Sequence, residues 1–164
     1  LFSFLHLFAA LILGTGSSAG QDSASLRLTL EEAQARATGA SNRLAEAQAP
    51  HQPRTYKYFF TWSSPARRGT LGACHALELP FVFGTLDAPT MDKFAGKGPE
   101  AEALSARMMD AWIAFARSGQ PGHAALPAWP GYDTAGRATL VFDRQCELAS
   151  APLDAERAAW DGVI

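Results

Sequence analysis

At 164 residues, 48% apolar and only 18% charged, the chain carries enough hydrophobic material for one folded unit with a real core, which excludes a disordered tail. A net charge of −2, with the fourteen Lys and Arg scattered, leaves no basic footprint for a phosphate backbone and excludes nucleic acid as a partner. Two cysteines, Cys74 and Cys146, are too few for a disulfide framework, and neither has a second Cys or His at zinc-ligand spacing. Each is expected as a small buried side chain, with a bridge between them the alternative.

In chain order, residues 1–20 come first. The apolar run Leu1 to Leu13 is too short to span a bilayer as a helix, so no membrane span is expected. With the small residues Gly16-Ser17-Ser18-Ala19-Gly20 after it, it reads as a secretory signal peptide, although neither an initiating Met nor a basic n-region precedes it. That reading implies a secreted or periplasmic location; the competing one is a buried helix of a larger protein. Residues 21–49 form a helical segment. Thr29 and Glu32 make a capping-box pattern ahead of residues that favour helix, predicting one or two helices from about Leu30 to Ala47. Leu28-Thr29-Leu30-Glu31-Glu32-Ala33, with Arg43-Leu44-Ala45-Glu46-Ala47-Gln48, resembles the start of mature outer-membrane efflux channels of the TolC type, which continue as far longer helices.

Pro50-His51-Gln52-Pro53 breaks the helix and opens a third unit, residues 50–164. Thr55 to Trp62 is aromatic and β-branched at strand length and is predicted as a strand, with Ser63 to Gly72 a polar loop. From Glu100 to Ser118, apolar residues recur every three or four positions, which predicts an amphipathic helix that Gly119 and Pro121 end. Thr139 to Asp143 and Cys146 to Ala149 read as two short strands, and Pro152 to Trp160 as a last helix.

The stretch Gly72-Ala73-Cys74-His75-Ala76-Leu77-Glu78-Leu79-Pro80-Phe81-Val82-Phe83-Gly84 resembles the histidine loop of type B carboxylesterases, a branch of the α/β-hydrolases. There a Gly-containing turn presents the catalytic His, and an acidic residue three positions on precedes an apolar run ending in Gly. The surroundings agree in order: the aromatic strand at Tyr56 to Trp62, Ser64-Pro65, the long helix at Leu104 to Gly119, Leu-Pro-x-Trp-Pro-x-Tyr at Leu126 to Tyr132, and Glu156 to Trp160. The resemblance runs from about Arg43 to Val163. It implies an α/β fold, the C-terminal portion of an α/β-hydrolase with an incomplete sheet, acting on small-molecule carboxylic esters once completed, with no cofactor and no metal.

The resemblance puts His75 in the place of the catalytic base. Ester hydrolysis by a serine needs a group that takes the hydroxyl proton and returns it to the leaving alcohol, and imidazole titrates near the working pH. In α/β-hydrolases the chain order is nucleophile, acid, histidine, so a C-terminal portion keeps only the last. Glu78 lies in the same turn as His75 and is expected to hold the loop rather than serve as the acid. Cys74 is adjacent to His75, and neighbouring side chains rarely converge. Ser18, within a GxSxG pattern, has fewer than sixty residues between it and His75, too few for the family's intervening sheet and acid loop. His6, His51 and His123 are expected to be structural or solvated. Taken alone the chain is expected to be inactive as an esterase. The alternatives are an interaction module that self-associates through exposed apolar surface and the product of a broken gene.

Overall fold

The computed structural model describes the backbone of Phe4–Phe8 and residues 44–158. The expected signal-peptide cleavage region and most of the helical segment 21–49 lie outside the described residues. Four strands form one sheet in the order β1 (Phe4–Phe8), β2 (Tyr56–Phe60), β3 (Ala138–Phe142), β4 (Glu147–Ser150). β1 pairs antiparallel with β2, β2 runs parallel to β3, and β4 returns antiparallel on β3. The parallel pair requires a long crossover, and residues 61–137 supply it. That crossover carries α2 (Leu79–Val82), α3 (Met91–Phe94) and the 20-residue α4 (Pro99–Ser118); α1, described over residues 44–48, precedes β2, and α5 (Asp154–Ala158) follows β4.

α4 begins where Pro99 occupies the first turn, in which its missing N–H is no loss, and ends at Gly119, whose φ of 73° makes the left-handed cap. Ala101, Leu104, Met108 and Ala111 bury one stripe of the helix. Against the sheet lies an aromatic cluster. Tyr58 meets Trp112 at 5.2 Å and Phe142 at 5.6 Å, Tyr56 meets Trp129 at 5.8 Å, and Phe81 meets Phe60 at 5.3 Å and Trp62 at 5.4 Å. Each such pair adds about 0.5–1.5 kcal/mol beyond its buried area, so β2 is fixed chiefly by its aromatic face.

The opposite face of β2 is covered as well. Lys57 is only 2% exposed, with its ammonium 5.2 Å from the Tyr132 ring centroid and 5.6 Å from that of Phe59. Around it Glu46 of α1 pairs with Arg137 at 3.7 Å and Arg157 at 4.0 Å, and Asp154 bonds both arginines. Burial, with the Arg137 and Arg157 charges nearby, lowers the Lys57 pKa to about 8 despite the opposing pull of Glu46. Burial raises the Tyr132 phenol to about 12.

The expected strands, long helix and last helix are present within a residue or two of their predicted limits over the described residues. Phe4–Phe8, within the run read as a signal peptide or a buried helix, forms an edge strand instead. Both cysteines are free and only half-buried rather than fully buried or bridged, and the apolar run Leu79 to Phe83 contains a single helical turn.

Candidate active site: the histidine loop

The chain leaves β2 through Thr61, whose hydroxyl bonds the Asp143 carboxylate at 2.8 Å, and enters a segment pinned by two side chains. Trp62 Nε1 donates to the Ala95 carbonyl at 2.8 Å, and the buried Ser64 hydroxyl donates to the Phe94 carbonyl at 2.5 Å. The Ser64 N–H donates to the Gly72 carbonyl at 2.9 Å and closes the base of the intervening loop. The end of β2, the end of α3 and the start of the histidine loop are thereby held as one body.

His75 follows three residues later. Leu77 N–H donates to the Cys74 carbonyl at 3.2 Å, closing a four-residue turn in which His75 and Ala76 are the central positions. Ala76 has φ 63°, the left-handed conformation that a turn of this kind requires of its third residue and that a side chain tolerates poorly. On either side the chain is anchored inward: Ala73 is 4% exposed, Leu77 fully buried, and Phe81 fully buried in the aromatic cluster. His75 itself is exposed. A polar ring is thus carried out of the core by a turn whose flanks are locked by apolar side chains.

Glu78, 3% exposed, starts α2; burial, and after it the Glu78 charge, raises the Tyr58 phenol above its ordinary range. The carboxylate therefore faces the interior beside β2. Ser105 Oγ donates to the Phe81 carbonyl at 2.8 Å and ties α2 to α4. The structure brings His75 and Glu78 together in one loop, while Ser18 lies outside the described residues. Of the remaining histidines, His51 is exposed and His123 is a loop staple: its Nε2 lies 3.0 Å from the Arg107 carbonyl and its Nδ1 accepts from Ala125 N–H at 3.3 Å.

A cleft of about 430 Å³ opens at the carboxyl ends of β2 and β3, lined among others by Trp62, Ser63, Lys97, Glu100 and Arg144. Arg144 stacks over the Trp62 ring at 4.8 Å and pairs with Glu100 at 2.8 Å; sequence reasoning missed this contact, because nothing in the local pattern joins positions so far apart. His75 is not among its lining residues. Among the described residues no group of three or more His, Cys, Asp or Glu could hold a metal ion, and no helix is long and apolar enough to cross a membrane.

Comparison with known proteins gives a consistent picture. The profile described as "Carboxylesterase family" matches residues 15–160, and so starts upstream of Arg43. Phenmedipham hydrolase of Pseudarthrobacter oxydans is 39% identical over 113 residues, covering 67% of this chain and 23% of that protein. Para-nitrobenzyl esterase of Bacillus subtilis (strain 168) is 37% identical over 113 residues, covering 69% of this chain and 22% of that protein. Among solved structures, a thermophilic PNB esterase superposes with a TM-score of 0.68 at 31% identity, covering 79% of this chain and 27% of that one. The chain spans about a quarter of the length of these relatives.

Proposed function

The chain belongs to the carboxylesterase family, and we propose that it supplies the histidine of a serine esterase site, with His75 as the base. The observation that carries this reading is the exposed imidazole at the apex of a turn whose neighbours, Ala73 and Leu77, are buried. In the proposed reaction His75 takes the proton of a serine hydroxyl as that oxygen attacks the ester carbonyl, then gives it to the departing alcohol. A carboxylate on the other ring nitrogen stabilises the imidazolium. Glu78 is assigned a supporting part: its buried position beside Tyr58 suits a group that holds the loop.

The serine and the carboxylate are proposed to come from outside the described residues, and the chain alone is proposed to have no His75-dependent turnover. Hydrolysis of p-nitrophenyl acetate by the purified chain tests this. Turnover abolished by both His75→Ala and Ser18→Ala would overturn the proposal that this chain lacks its own nucleophile.

A second reading, a non-catalytic interaction module, is favoured by one observation. Phe83 is 70% exposed, with Leu79 at 45% one helical turn before it. Size-exclusion chromatography separates the two readings, because a concentration-independent monomer removes the support for self-association.

A further inference from the structure

The loop between β2 and the histidine turn has a property that ester chemistry does not use. Arg67 and Arg68 both adopt the left-handed conformation, with φ 49° and 58°, and Gly69 follows at φ 82°. Only glycine visits that region without steric cost, so two successive arginines there are held against their own preference. Arg67, Arg68, Gly69 and Thr70 are all exposed. The bonds at the tip are few: Gly69 N–H to the Pro65 carbonyl at 3.3 Å, Thr70 N–H and hydroxyl to the Arg67 carbonyl at 3.4 and 2.9 Å, and Gly72 N–H to the Gly69 carbonyl at 3.2 Å.

We propose that this tip is a processing site for proteases that cut after arginine, hydrolysed within Arg67-Arg68-Gly69 before any other bond in residues 44–158. A protease binds its substrate extended, so the loop must open locally first, and cleavage follows the population of that opened state. Opening here releases strain instead of creating it, and loses only these four bonds. The seven residues 65–71 between the clamps at Ser64 and Gly72 give the length a protease cleft needs. At Arg68–Gly69 one water adds across the peptide bond: its oxygen goes to the Arg68 carbonyl carbon, which becomes a carboxylate, and the Gly69 nitrogen becomes a new amino terminus.

The other basic residues are held differently. Lys57 is buried, Lys93 lies within α3, Arg107 and Arg117 lie inside α4, Arg54 donates to the Ser118 carbonyl, and Arg137, Arg144 and Arg157 are ion-paired. The nearest rival is Lys97, which is exposed but flanked by the half-buried Gly96 and Gly98. The cut would separate β2 from the histidine loop in sequence but not in space. Trp62 on one side still packs on Phe81 on the other, and the Ser64 to Gly72 bond lies outside the cut.

Limited trypsin digestion of the full chain, read by intact mass, tests this independently of any role of His75. Cuts before Leu44 aside, the first cut is expected after Arg67 or Arg68, with the two pieces co-eluting in size-exclusion chromatography. In Arg67→Gln/Arg68→Gln that cut is lost, whereas Lys97→Gln leaves it in place. A first cut at Lys97 or elsewhere in residues 44–158, an unchanged first cut in the double variant, or pieces that separate under native conditions would each overturn the proposal.

Discussion

Lys57 offers a quantitative test of the packing between the sheet and the two flanking helices. Its pKa falls from 10.5 to about 8, a difference of 2.5, and each unit is worth about 1.36 kcal/mol. Holding the charged ammonium in the fold at pH 7 therefore costs about 3 kcal/mol. Because the folded pKa is the lower one, the unfolded chain binds more protons between pH 8 and 10.5, and stability rises with pH through that window. Tyr58 and Tyr132 act oppositely: both phenols are raised, so the folded state keeps protons the unfolded chain loses above about pH 10, and stability falls there. Burial also raises the Cys146 thiol, which offsets part of the Lys57 gain toward the upper end of that window. Lys57→Met removes the buried charge, forfeits two cation–π contacts of about 0.5–1 kcal/mol each, and leaves Glu46 with Arg137 and Arg157. A net gain of about 1–2 kcal/mol is expected at pH 7, shrinking toward zero by pH 9.5. Urea melts at pH 7, 8.5 and 9.5 measure it. A variant destabilised at pH 7, or a wild-type chain whose stability does not rise between pH 8 and 9.5, would refute the reasoning.

Three further outcomes are expected. Gly84 has φ 62°, and an added Cβ would lie 2.6 Å from the Met109 sulfur, so Gly84→Ala should cost about 1–3 kcal/mol, with part recovered in Gly84→Ala/Met109→Ala; equal melts for both variants would count against the contact. Ser64→Ala removes the hydroxyl that donates to the Phe94 carbonyl and accepts from Ala66 N–H; it should cost about 1–3 kcal/mol and speed amide exchange at Gly72 to Leu77 more than in α4. The signal-peptide reading would remove Phe4–Phe8, which pair with β2 across five residues. Intact mass of the chain made in a secreting host separates the two: loss of residues 1–20 supports export, and retention supports the strand.

The parts of the fold that could be read from the sequence are those whose signal is longer than a single turn. α4 was readable because its apolar stripe repeats over 20 residues, and β2 because aromatic residues crowd a short run. α2 and α3, four residues each, carry no period; contacts made elsewhere, such as Ser105 to the Phe81 carbonyl, fix α2. In Tyr56-Lys57-Tyr58 the alternation places Lys57 away from the aromatic face, and nothing local says that α1 and α5 close over it. The candidate site is legible only through a motif: Gly72 to Gly84 in its setting points to His75, whereas the left-handed turn at Ala76 and the clamp at Ser64 depend on contacts the sequence does not display. Cys74 and Cys146 pack at the edge of the core, so the rule that free cysteines are buried holds for them only in part.

The most direct test of His75 is a chimaera. In the para-nitrobenzyl esterase of Bacillus subtilis, the segment that matches this chain is replaced by the chain's own residues, and p-nitrophenyl acetate hydrolysis is measured beside the melting curve. With His75 as the base, the chimaera folds, hydrolyses the ester and loses the activity, but not the fold, on His75→Ala. A chimaera that melts cooperatively and is inactive, or whose turnover survives that substitution, would contradict that role.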